Sequence, residues 1–164
     1  MNARIFLSIL ICLGIQSCNS NDSNSTTLTS NDIADKSERI NILAREVKVF
    51  SELKDAEFYL VNTNGFSNQR ISVPGASSLD YQFVIKIDTN DINKWTEGMT
   101  EIPNDSTDNY WMDKLLGSRK ENWSVHSIPK VLTRISDSVT ATPGHVIMFV
   151  YKDEGIILKK LWRN

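Results

Sequence analysis

Few side chains in this sequence carry reactive chemistry, and their spacing limits what they do. His126 and His145 are the only two histidines. Neither stands at ligand spacing from a cysteine, so the Cys/His donor set of a zinc site is missing, and a two-histidine, one-carboxylate site would have to recruit its acid from elsewhere. Ser77 and Ser78 follow Pro74-Gly75 on a tight loop, a place for a nucleophile. The glycine elbow of a serine hydrolase is absent there, and a triad would need His126 or His145 from a distance. The glycines form no phosphate cradle. Arg70 and Arg134 are isolated cations, ordinarily solvated or paired with a nearby acid. No metal or cofactor is expected, and the balance leans away from an enzyme.

Flat rings are more suggestive. Trp95, Trp111, Trp123 and Trp162 can stack on sugars, anchor an interface or fill a core. Tyr110 and Trp111 are adjacent on a predicted short helix, where neighbours point in different directions, so one of them is expected to stay partly exposed. Tyr110, Trp111 and Trp95 are the candidate binding residues.

The elements that must position these groups follow from hydrophobic spacing. Ile33, Ile40, Leu43, Ala44, Val47 and Phe50 recur at helical intervals after the polar Ser30-Asn31-Asp32, and Asp35 with Arg39 makes an i,i+4 pair, so a first helix is predicted over 32–50. Strands are predicted over 58–63, 70–73 and 79–87. The last of these alternates most clearly, with Asp80 and Gln82 on its wet face. Short helices are expected over 91–97 and 109–116, each ended by a glycine, with a polar loop over 100–107 between them. Strands over 123–126, 131–135, 145–151 and 156–162 complete the chain, the last two joined by Lys152-Asp153-Glu154-Gly155 with Gly155 in a left-handed bulge. This pattern predicts an α+β fold, an amino-terminal helix packed on a mostly antiparallel sheet with two short helices inserted mid-chain.

The amino terminus differs from the rest. Arg4 precedes an eleven-residue apolar run, Ile5 to Ile15, and then Gln16-Ser17-Cys18. The run is too short for a membrane span, which needs roughly 20 residues, but it has the layout of an export signal. Ile15-Gln16-Ser17-Cys18 resembles the lipobox of bacterial lipoproteins. A cut at the other thiol, Cys12, would leave an apolar run of only about seven residues. The resemblance covers residues 1–18 and implies cleavage before Cys18, acylation of that cysteine and attachment to a membrane facing away from the cytoplasm. Asn19 stands where an inner-membrane retention signal would place Asp, which favours the outer membrane. Removal of Cys12 with the signal and acylation of Cys18 would leave no thiol for a disulfide.

Residues 1–17 are thus read as a signal peptide, 18–32 as a lipidated cysteine with a flexible Ser/Asn/Thr tether, and 33–164 as a single domain. Loss of Arg4 takes the basic residues from 18 to 17 against 20 acidic ones, a balance that leaves no basic footprint for nucleic acid. The expected role is a lipid-anchored cell-envelope protein that binds a protein partner. The alternatives are a glycan-binding module using exposed aromatics and a hydrolase without a familiar motif.

Overall fold

The computed structural model describes residues 25–66, 78–104, 110–136 and 144–163. Its strands are β1 (Thr27–Thr29), β2 (Asp55–Asn62), β3 (Leu79–Lys86), β4 (Thr100–Ile102), β5 (Lys130–Ser136), β6 (Gly144–Tyr151) and β7 (Ile156–Arg163). Three short helices accompany them, α1 (Lys36–Glu46), α2 (Ile92–Thr96) and α3 (Tyr110–Leu116). The strands form one sheet in the order β1-β2-β3-β7-β6-β5-β4, antiparallel at every pairing. Two meanders therefore meet where β3 pairs with the carboxy-terminal strand β7.

This architecture corrects the helix-led α+β expectation. The first described element is a strand, the sheet is wholly antiparallel, and among the described residues no amino-terminal helix leads the domain. The physical reason lies in Thr26-Thr27-Leu28-Thr29, whose β-branched residues suit an extended edge better than a flexible tether. Leu28 stands opposite Leu60, so the ordered domain starts upstream of Ile33. The helix expected over 32–50 shrinks to α1, capped by Asp35, whose Oδ1 accepts from the Glu38 N–H at 2.7 Å. It stops before Val47-Lys48-Val49, where β-branched residues disfavour continuation. Two other expectations shift. The polar loop over 100–107 contributes β4, and the strand expected over 123–126 is replaced by a 3₁₀ segment, Gly117–Trp123, followed by irregular chain. The strand expected over 70–73, the loop serines Ser77 and its predecessors, and Cys18 with its signal lie outside the described residues.

Strand alternation gives the sheet two faces. The front face carries Phe58, Leu60, Phe83, Ile85, Met148 and Ile157, closed by Leu43 of α1 and by Ile92 and Trp95 of α2. The back face carries Val84, Leu158, Phe149, Tyr151 and Val131, closed by Met112, Leu115 and Leu116 of α3 and by Trp123. Burial of these side chains is the main stabilising term, about 1.5–3 kcal/mol for each large one. The β6–β7 hairpin turns as its sequence predicts. Gly155 has φ +65, and a Cβ there would sit 2.5 Å from the Ile87 carbonyl oxygen, so no larger residue fits.

Candidate functional site

Register divides the back face into rows running across the strands. In one row Glu57 stands beside Val84, then Leu158, Phe149 and Val131. All five are buried. Two residues along each strand, Tyr59, Gln82, Lys160 and Ile147 form the next row, and Val61, Asp80, Trp162 and His145 the one after. None of these eight is buried, and Tyr59 and His145 are exposed. The cover supplied by α3 ends between the first row and the second.

The edge of that cover is fixed by ionic groups. Glu57 is fully buried and accepts from Arg119 Nε at 2.6 Å and Arg119 Nη2 at 2.7 Å. Arg39 Nε lies 3.3 Å from the same carboxylate. Arg39 also donates to the Ala56 carbonyl at 3.0 Å, to the Ala34 carbonyl at 2.9 Å and to Asp55 Oδ1 at 3.0 Å. The i,i+4 pair expected between Asp35 and Arg39 is therefore replaced by one that reaches inward to β2. Ser30 completes the cluster, its Oγ accepting from the Phe58 N–H at 2.9 Å and its carbonyl from Arg119 Nη2 at 2.7 Å. These bonds satisfy the stretch of β2 that β1 leaves unpaired, as buried backbone groups require. Hydrogen bonding to Glu57 holds the Arg119 guanidinium above its ordinary pKa. Gly117, at φ +53, makes the turn that brings Arg119 in, packed against Asn31.

The open rows have a different character. Gln82 Nε2 donates to both Asp80 oxygens, at 3.2 and 3.3 Å, and Lys160 Nζ lies 3.8 Å from Asp80 Oδ2. The His145 ring stacks on Trp162 with centroids 5.3 Å apart and planes 20° apart. Lys114 of α3 reaches to 5.8 Å from the Tyr59 ring centroid. Two depressions lie here. One, of about 170 Å³, opens between α3 and the sheet and is lined by Thr29, Asn31, Tyr59, Gln82, Lys114 and Leu115. The other, of about 300 Å³, lies at the strand ends around Asp80, Ile147, Lys160 and Trp162. The groups present are hydrogen-bond donors and acceptors beside aromatic faces, a composition suited to recognition.

The residues singled out from sequence are dispersed. Trp95 is in the front core, its Nε1 donating to Ser51 Oγ at 2.9 Å and its ring edge-on to Phe50 at 5.2 Å, so it is not brought to the open rows. Tyr110 and Trp111 belong to α3, and their side chains lie outside the described residues. Trp123 fills the back core. His126 and His145 are at opposite ends of the sheet. The His126 backbone N–H donates to Glu154 Oε1 at 2.8 Å beside the β6–β7 turn, whereas His145 opens β6. Arg134 is exposed on β5. Among the described residues no three His, Cys, Asp or Glu side chains cluster to hold a metal, and no helix is long and apolar enough to cross a membrane.

Sequence reasoning missed Tyr59, Gln82, Lys160 and Trp162 as one surface. The signal was present in the alternation of β3, which puts Asp80 and Gln82 on a wet face, but which strands flank β3 is not written in local pattern.

Two further ionisable groups have displaced pKa values. Ser127 Oγ and the backbone N–H groups of His126 and Ser127 donate to Glu154, holding its carboxyl at about 2. On the front face, burial and then the nearby Arg134 push the Lys159 amine down to about 8. Its ammonium lies 5.8 Å from the Phe83 ring centroid.

No family model, no curated protein and no solved structure matches this chain.

Proposed function

We propose that the chain is a lipid-anchored cell-envelope binding module, held through acyl chains on Cys18, with the outer membrane favoured. It recognises a segment of a protein partner on the part of the back face next to α3, around Tyr59, Gln82 and Lys114. The observation that carries this reading is the abrupt end of the α3 cover, which leaves Tyr59 exposed and Gln82 part-exposed beside a fully buried row. Strand addition is a poorer route for a partner, since β1 and β4 span three residues each and Arg39 and Ser30 already occupy the unpaired stretch of β2. A partner therefore meets side chains rather than backbone.

Glycan binding is the second reading, favoured by one observation. The exposed Tyr59 ring stands with the planar amides of Asn31 and Gln82 around one depression, and a ring face with fixed amides is a donor set that sugars use. Crosslinking in intact cells, with the acylated full-length protein and its Tyr59→Ala variant, separates the two. The protein reading expects one envelope protein to be captured in quantity and lost with Tyr59→Ala. Tryptophan fluorescence that responds to envelope polysaccharides, and no longer does so in Tyr59→Ala or Trp111→Ala, would replace it with the glycan reading.

A further inference from the structure

The two ends of the sheet differ in what reaches them. At one end β2 finishes at Asn62, β3 begins at Leu79, β6 begins at Gly144 and β7 finishes at Arg163. The amino-terminal chain enters the domain at this same end. The Phe66 N–H donates to the Ser25 carbonyl at 3.2 Å, and the Asn62 N–H donates to the Thr26 carbonyl at 2.9 Å. Trp162 and His145 are here too, stacked on each other, with Val61, Ile147, Asp80 and Lys160 beside them. The Lys160 ammonium lies 5.7 Å from the Trp162 ring centroid and 3.8 Å from Asp80, which it would exchange for phosphate. Trp95 and Trp123 are buried toward the other end, among Ile87, Tyr151 and Ile156.

Chain length then restricts the geometry. From Cys18 to Ser25 the fully extended backbone covers at most about 25 Å. The eight-residue strands are themselves about 27 Å long. A domain held by an acyl chain on Cys18 thus keeps Ser25, which enters at the same end of the sheet as Trp162, within about 25 Å of the bilayer surface. An indole, aliphatic side chains and an ammonium are the groups that sit at a membrane–water boundary, the ring among the headgroups and the cation on phosphate.

We propose that this end of the sheet docks on the headgroup layer of the membrane that carries the Cys18 lipid, with Trp162 at the interface and Lys160 toward lipid phosphates. The proposal rests on the lipid-anchor reading above. It also sets the address of the ligand, because the depression around Tyr59 and Lys114 stands inward of the docked end and faces whatever lies close above the bilayer.

The test uses the acylated full-length protein in vesicles of phosphatidylethanolamine and phosphatidylglycerol, some containing lipid brominated near the headgroup end of its acyl chains. Bromine is expected to quench part of the tryptophan emission. Trp162→Phe is expected to remove most of that quenching, and Lys160→Glu to weaken it, while both variants still float with the vesicles. Flotation with no quenching, or quenching unchanged in Trp162→Phe, would overturn the docking. A fatty-acid probe on Cys18, read against Cys18→Ala, reports the anchor separately. Absence of label, or equal flotation of Cys18→Ala, removes the anchor and the docking with it.

Discussion

Glu57 and Asp80 sit on neighbouring strands of the same sheet face, each with cations beside it, yet they do opposite things. Glu57 is sealed under the 3₁₀ segment with Arg119 and Arg39 bonded to it, whereas Asp80 is half-exposed and shared between Gln82 and Lys160. The fully buried Glu57 carboxylate has no water to turn to and depends on its two guanidinium partners. In the open rows each group has water as an alternative, so the same chemistry is cheap to rearrange and available to a ligand. Charge on a sheet face is thus locked in place or open to exchange according to whether an adjacent segment reaches over it.

The largest expected effect breaks the sealed side. Glu57→Ala takes the carboxylate from the part-buried Arg119 and from one side of the buried Arg39 and should destabilise the domain by roughly 3–5 kcal/mol in urea unfolding, with a loss under about 1 kcal/mol refuting the structural role assigned to the network.

Lys159 is the converse of Glu57, a largely buried cation on the front face that no acid pairs with among the described residues. Its folded pKa of about 8 lies below the ordinary value of 10.5, so the cost of its charge is whole below pH 8 and gone above 10.5. Lys159→Met is expected to gain about 1 kcal/mol at pH 7, and the difference from wild type should shrink as pH rises through that window. A difference independent of pH would show that packing, not charge, is responsible.

Glu154 gives the opposite sign with a smaller effect. Its folded pKa of about 2 lies below the ordinary 4.5, so its contribution is whole above pH 4.5 and fades as pH falls toward 2. Thermal melts of Glu154→Gln should lose less stability across that window than wild type. Parallel curves would mean that the Ser127 and His126 bonds add nothing.

On the open side the expected change is the smallest. Asp80→Asn should alter stability by no more than about 0.5 kcal/mol, as surface substitutions do, while weakening the interaction proposed for this face. A large loss of stability from Asp80→Asn would place it with Glu57 and erase the contrast.

Much of the framework was legible in the residues. Alternation marks β3, a continuous apolar run marks β6, Gly98 and Gly117 mark helix ends, and Lys152 to Gly155 mark the hairpin with its left-handed glycine. The errors share one cause. Thr27–Thr29 is too short and polar to announce a strand, and becomes one only because β2 offers it an edge. Arg39 looked like a surface partner for Asp35 because helical spacing cannot register an Asp55–Glu57 pair brought alongside by tertiary structure. Trp95 looked like a candidate ligand stacker for the same reason, since burial is decided by what packs above a residue. The open rows combine residues from four strands, and that combination depends on β7 inserting between β3 and β6.

A photo-reactive amino acid placed at Gln82, beside Tyr59 on the uncovered back face, or as control at the exposed Asn41 of α1, in the acylated protein in intact cells, locates the partner. The account predicts crosslinking to one partner from position 82, abolished by Tyr59→Ala, and none to that partner from position 41. Crosslinking to the partner from position 41 and not from 82 would contradict it.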